Sequence, residues 1–160
     1  MNKAKFILII LTFNVLVSQS QPSSLDSAYG FNGLKLDAPE DMFIKTFNTK
    51  SPPDSIRNSR VAYHIYDEKF MEWGSCSFEK AGAFFFKGRL ETIALYFSTG
   101  SAADCLQAQI ENLYGKMKSS PKTSLTTKVI DGESCDLLFD YNDTTHIGVI
   151  LFTKKLMPRK

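Results

Sequence analysis

Hydrophobic and polar positions along this chain change period several times, and each change marks an element. Val61, Tyr63 and Ile65 alternate with Ala62, His64 and Tyr66, the period of two that gives a strand one buried face. His64 therefore projects from the face opposite Val61 and Ile65. Strand material continues over 70–86, broken at Gly74 and Gly82, and over 90–97 after a Lys87-Gly88 turn, which reads as a meander. The period then lengthens. Ala102, Leu106, Ile110 and Leu113 recur every three or four positions, so a helix packs one face on the sheet. Ser101 with Asp104 three positions on is its expected capping box, and Gly115 its left-handed stop. Strands at about 125–130, 134–141 and 146–153 follow, linked by turns at Asp131-Gly132 and Asn142-Asp143-Thr144. The last strand is apolar on both faces from Ile147 to Phe152, which suits a central position or an edge that something covers.

The first third is more irregular. A short strand at 34–36 precedes a helix whose start is marked by Asp37 with Glu40, by Pro39 in the first turn, and by the apolar Met42, Phe43 and Phe47. Asn48 to Ser59 contains two adjacent prolines and reads as a long loop, a kind usually kept for function or mobility. At the very start, Lys3 and Lys5 precede the uncharged, mostly apolar stretch Phe6 to Val17, with small Ser18 and Ser20 behind it. That order is expected of a signal peptide cleaved after Ser20, since a membrane-spanning helix needs roughly 20 apolar residues. The expected organisation is a signal peptide at 1–20, a flexible leader at 21–32, one α+β domain at 33–157 and a basic tail at 158–160. Within that domain the order of elements predicts an antiparallel sheet of about five to seven strands with two helices packed on it.

Composition narrows the function classes. Charged residues are 22% and aromatic residues 12% of the chain, too apolar a mixture for a disordered protein. The formal net charge is +2, and losing Lys3 and Lys5 with the leader leaves a neutral remainder, which excludes electrostatic capture of nucleic acid. No later segment is long and apolar enough to span a membrane. The expected location is periplasmic or secreted.

Catalytic signatures are missing from the sequence: no Gly-x-Ser-x-Gly elbow, phosphate-binding glycine loop, Cys-x-x-Cys pair or His-Glu-x-x-His helix occurs. No catalytic residue, metal or cofactor is assigned. His64 and His146 are the two side chains able to titrate near neutral pH, so the enzyme alternative is a small extracytoplasmic hydrolase pairing one of them with a carboxylate or cysteine. Asp136 and Asp140 share a strand face about 13 Å apart, too far for a glycosidase pair. The Asp140 to Thr145 turn lacks the glycine and distal glutamate of a calcium loop, and Asn142-Asp143-Thr144 matches a glycosylation acceptor. Cys76, Cys105 and Cys135 allow three different single bridges, each leaving one thiol. Their spacing selects none, and small buried side chains are the preferred reading.

Aromatics are the positive feature. In Phe84-Phe85-Phe86 successive rings point to opposite sheet faces, so the second face needs cover from a helix, the 48–59 loop, a ligand or a partner. Tyr63, Tyr66, Trp73, Phe84 and Phe86 are the candidate binding residues. The expected function is exported, non-catalytic binding of a protein or a small apolar ligand; an inhibitor acting through Ser51 to Ser59 is a narrower variant.

Overall fold

The computed structural model describes residues 24–47, 53, 55–57, 59–120 and 127–155. The expected signal peptide, the cleavage point and the tail at 158–160 lie outside the described residues. In chain order the elements are α1 (Leu25–Ala28), β1 (Gly30–Phe31), β2 (Leu34–Lys35), α2 (Glu40–Phe47), β3 (Ser55–Arg57) and β4 (Arg60–Ile65). A single 3-10 turn (Glu68–Met71) leads to β5 (Glu72–Trp73), β6 (Cys76–Ser77), β7 (Lys80–Phe86), β8 (Arg89–Phe97) and α3 (Gly100–Tyr114). The last described elements are β9 (Lys118–Ser119), β10 (Lys128–Asp131), β11 (Cys135–Asn142) and β12 (Ile147–Lys154).

Among the described residues one antiparallel sheet dominates, in the order β3-β4-β7-β8-β12-β11-β10-β9. The fold is α+β, mostly sheet. β12 lies between β8 and β11, the central place that its two apolar faces require. Alternation along the strands sends Ala81, Ala83 and Phe85 of β7, Ile93, Leu95 and Phe97 of β8, Ile150 and Phe152 of β12, and Leu137 and Phe139 of β11 to one buried face. Phe43 of α2, Leu106 and Ile110 of α3, and Phe31 and Trp73 of the two short ribbons cover that face in a single core. Phe31 lies edge-on to Phe70, Trp73 and Phe78 at centroid distances of 5.2, 5.1 and 5.6 Å, the geometry in which ring edges meet ring faces. No helix of the described residues is long and apolar enough to cross a membrane.

The structure departs from the sequence reading at several points. Residues 24–32 are not a loose leader: Ser24 caps α1, and Leu25 and Phe31 are core residues. Asp26 accepts the backbone N–H groups of Glu133 and Ser134, both at 2.7 Å; these bonds hold its carboxyl below the usual carboxylate range. Asp37 does not cap α2, because it sits in the left-handed region at φ 67° and its carboxylate receives Lys154 Nζ at 2.7 Å. Thr99, not Ser101, caps α3, its hydroxyl accepting Ala102 N at 3.1 Å. Residues 55–57, assigned to the long loop, pair with β4 as an edge strand. Among the described residues, β3 and β9 bring the sheet to eight strands instead of five to seven, and α1 brings the helices to three. Both added strands are too short to show a period.

Cys76 and Cys105, expected as unpaired small side chains, form a disulfide with Cα atoms 5.8 Å apart, tying β6 to α3. Cys135 keeps its thiol, fully buried against the Leu25 carbonyl at 3.8 Å. Burial, aided by the nearby Asp26 and Asp136 charges, pushes that thiol up to about 11, so it stays protonated at neutral pH.

Candidate functional site

With α1, α2, α3 and the two ribbons all contributing to the core on one side, the opposite face of the sheet carries what is left of the alternation. Strand pairing arranges it in cross-strand rows. The central row runs His64, Gly82, Ala94, Leu151, Leu138 and Val129 across β4, β7, β8, β12, β11 and β10. On one side of it lie Lys80, Tyr96, Val149 and Asp140; on the other lie Ala62, Phe84, Thr92, Thr153, Asp136 and Asp131. The Phe84 ring leans over Gly82, where a Cβ would meet its Cε2 at 3.3 Å. Phe84, Leu151, Leu138 and Val129 are half-buried, Ala94 between them is fully buried, and Ile147 beyond them is 60% exposed. Among the described residues no helix or loop covers this apolar row.

Of the five aromatic candidates, the structure brings Phe84, Phe86 and Tyr66 to this outer face or its rim and takes the other two inside. Tyr63 is buried, its hydroxyl donating to Glu40 Oε1 at 2.6 Å. Burial first, and the Glu40 carboxylate second, push that phenol up to about 12. Trp73 is a core residue against Phe31, Phe152 and Tyr114. Phe86 lies under two cations, Arg60 Cζ at 5.5 Å and Lys87 Nζ at 5.3 Å from its ring centroid, so it anchors a basic corner. Tyr66 is 78% exposed with its ring 6.0 Å from that of His64.

His64 and Tyr66 also border a cleft of about 240 Å³ with Met71, Glu79 and Lys80. Glu79 accepts the Ser98 hydroxyl. His146 stands on the β11–β12 turn with its Nδ1 3.0 Å from the Tyr141 hydroxyl, and Cys135 is buried in the core at the opposite end of β11, so the structure does not join these two as a nucleophile and base. Asp136 and Asp140 share the outer face as expected from strand parity, but the nearer carboxylate to Asp136 is Asp131, its direct cross-strand partner. Lys155 bridges the two, ion-paired to Asp131 and 3.3 Å from Asp136 Oδ1. That oxygen receives no hydrogen bond of good geometry among the described residues, and desolvation raises the Asp136 carboxyl while Lys155 lowers that of Asp131. No group of His, Cys, Asp and Glu suited to a metal ion occurs among the described residues.

No family model, curated protein or solved structure matches this chain. Its function therefore has to be argued from the geometry. The residues that build the outer row, Ala94, Val129, Leu138 and Leu151, were not singled out in the sequence. One signal for them was present: β12 is apolar on both faces, and Leu138 is an apolar residue at an outward position between Asp136 and Asp140. Which strands would line up beside it, and that no helix would lie over it, depend on strand order.

Proposed function

We propose that this chain is an exported, non-catalytic binding domain that docks a protein on the outer face of its sheet. The observation that carries the reading is the apolar outer face formed by Phe84 with Leu151, Leu138 and Val129, since contiguous apolar surface on a folded protein usually marks an interaction site. A flat face favours a protein over a small ligand. The clefts beside it and beside α2, about 240 and 220 Å³, fall short of the roughly 300–1,000 Å³ typical of small-molecule sites. Two features support export: the lysine-flanked apolar opening of the sequence, and the Cys76–Cys105 bridge, which belongs to an oxidising compartment.

The test is site-specific photocrosslinking in the producing cell, with a photoreactive amino acid at Val129 on the outer row and, as control, at exposed Met42 on α2. A discrete protein adduct from position 129 that position 42 does not form is the expected result. No adduct from 129, or the same adducts from both positions, would overturn the reading.

A further inference from the structure

We propose that the protein docked on this face is a second copy of the same chain, paired face to face about a two-fold axis parallel to the strands and passing between β8 and β12. The inference rests on the docking role just proposed for the outer face and names its occupant. Three observations carry it.

The first is the chemistry of the rows. A two-fold axis in that direction lays β8 over the partner's β12 and β7 over its β11 while keeping each row at its own height, so every outward residue meets one that this chain itself supplies. Leu151 then stands over the shallow position of Ala94, whose own methyl is already buried within the chain, and Leu138 over the Phe84 ring where it lies across Gly82. Bulky side chains on one half of the face meet small or flat ones on the other. Twist rotates packed sheets by about 30°, and the Leu151 side chains nearest the axis move least under that rotation.

The second is charge. The β4–β8 half carries Arg60, Lys80 and Arg89 with Lys87 in the adjoining turn, and the β10–β11 half carries Asp131, Asp136 and Asp140. Glu91 offsets part of the first set through Arg60, and Lys155 and the outward Lys118 of β9 offset part of the second through the aspartates. Lys80 and Asp140 occupy opposite ends of one row, and among the described residues neither is in an ion pair within the chain. The proposed axis places Lys80 of one copy over Asp140 of the other, twice per dimer. An axis across the strands would instead set the basic half on the basic half, which is penalised.

The third is size. Six strands about 4.8 Å apart and about seven residues long present a face of roughly 600 Å², so two copies would bury on the order of 1,200 Å², above the roughly 1,000 Å² expected of a specific interface.

The experiment is light scattering on the size-exclusion eluate of the protein purified from an exporting host, loaded at about 100 μM, on the scale of a modest association constant. Twice the chain mass is expected for the wild type, and one chain mass for Leu151→Lys with unchanged far-UV circular dichroism. Lys80→Asp and Asp140→Lys are each expected to weaken the dimer by about tenfold, and the two together to restore it. Lys80 is exposed and Asp140 half-buried on the surface, and these two positions keep the test informative if Leu151→Lys does not fold. A wild-type protein of single-chain mass, or a combined variant no tighter than either single one, would overturn the pairing. A foreign-mass adduct in the crosslinking experiment together with a monomeric purified protein would remove self-pairing and leave the docking reading standing; no adduct from position 129 would remove both.

Discussion

Removing the Cys76–Cys105 bridge is the most quantitative perturbation that the fold offers. Its two cysteines are 29 residues apart in sequence, and cross-linking a loop of that length withdraws about 3.6 kcal/mol of chain entropy from the unfolded state at 25 °C on the loop-closure model. Cys76 is also a buried core residue, so Cys76→Ala with Cys105→Ala adds a small cavity cost of about 1 kcal/mol. The combined loss of about 4.6 kcal/mol lowers the midpoint of thermal unfolding by roughly 10 °C or more for a domain of this size. Guanidinium unfolding of the wild type and the double variant, with Cys135 kept in both, is the assay. The variant's transition should move to lower denaturant with a steeper slope, because its unfolded chain is more open. Thiol titration of the unfolded, unreduced wild type should find one thiol per chain, that of Cys135. A stability loss below about 1 kcal/mol at unchanged slope would refute the entropic reasoning. Three titratable thiols in protein taken from its host would refute the bridge, and with it that support for an oxidising compartment.

Gly148→Val should cost about 1–3 kcal/mol in urea unfolding, because any Cβ at this central β12 position runs into the Phe97 ring, itself stacked between Phe139 and Tyr141. Ultraviolet titration should show one tyrosine ionising near pH 12, absent from Tyr63→Phe. The folded chain holds that proton longer than the unfolded one, so the Tyr63 contribution is full below about pH 10 and is lost as the pH climbs to about 12. Asp26→Asn should speed amide exchange at Glu133 and Ser134, which lose a charged acceptor. As the Asp26 carboxyl is held down in the folded state, its contribution is present above about pH 4 and fades as the pH falls below that; a wild-type protein whose exchange at those two amides matches the variant at neutral pH would contradict this.

Local pattern carried much of the fold. The alternation of Val61, Tyr63 and Ile65, the helical spacing of Leu106 and Ile110, the Asp131-Gly132 turn and the double-faced β12 all put elements within a few residues of where they lie. What pattern missed had no period to show. β3 and β9 are three and two residues long and exist because a neighbouring strand offers an open edge. α1 is a single turn held by Leu25 in the core and by Asp26 on the β10–β11 hairpin, more than 100 residues away in sequence. Asp37 looked like a cap because of its spacing to Glu40, yet a lysine from the other end of the chain claims its carboxylate. Aromatic content correctly raised the question of what covers the second sheet face, but Tyr63 and Trp73, the rings chosen by proximity in sequence, turned inward.

By itself the sequence determined the apolar opening, the mixed α+β content, the strand parity that divides Phe85 from Phe84 and Phe86, and the want of familiar catalytic motifs, because each of these depends on residues a few positions apart. Only the tertiary structure decided which two cysteines meet, that α1, α2 and α3 gather on one side, and that Gly82, Ala94, Leu151, Leu138 and Val129 fall into one row. Those outcomes depend on strand order, and strand order follows from the total area that the whole chain can bury at once. No window of the sequence contains that quantity.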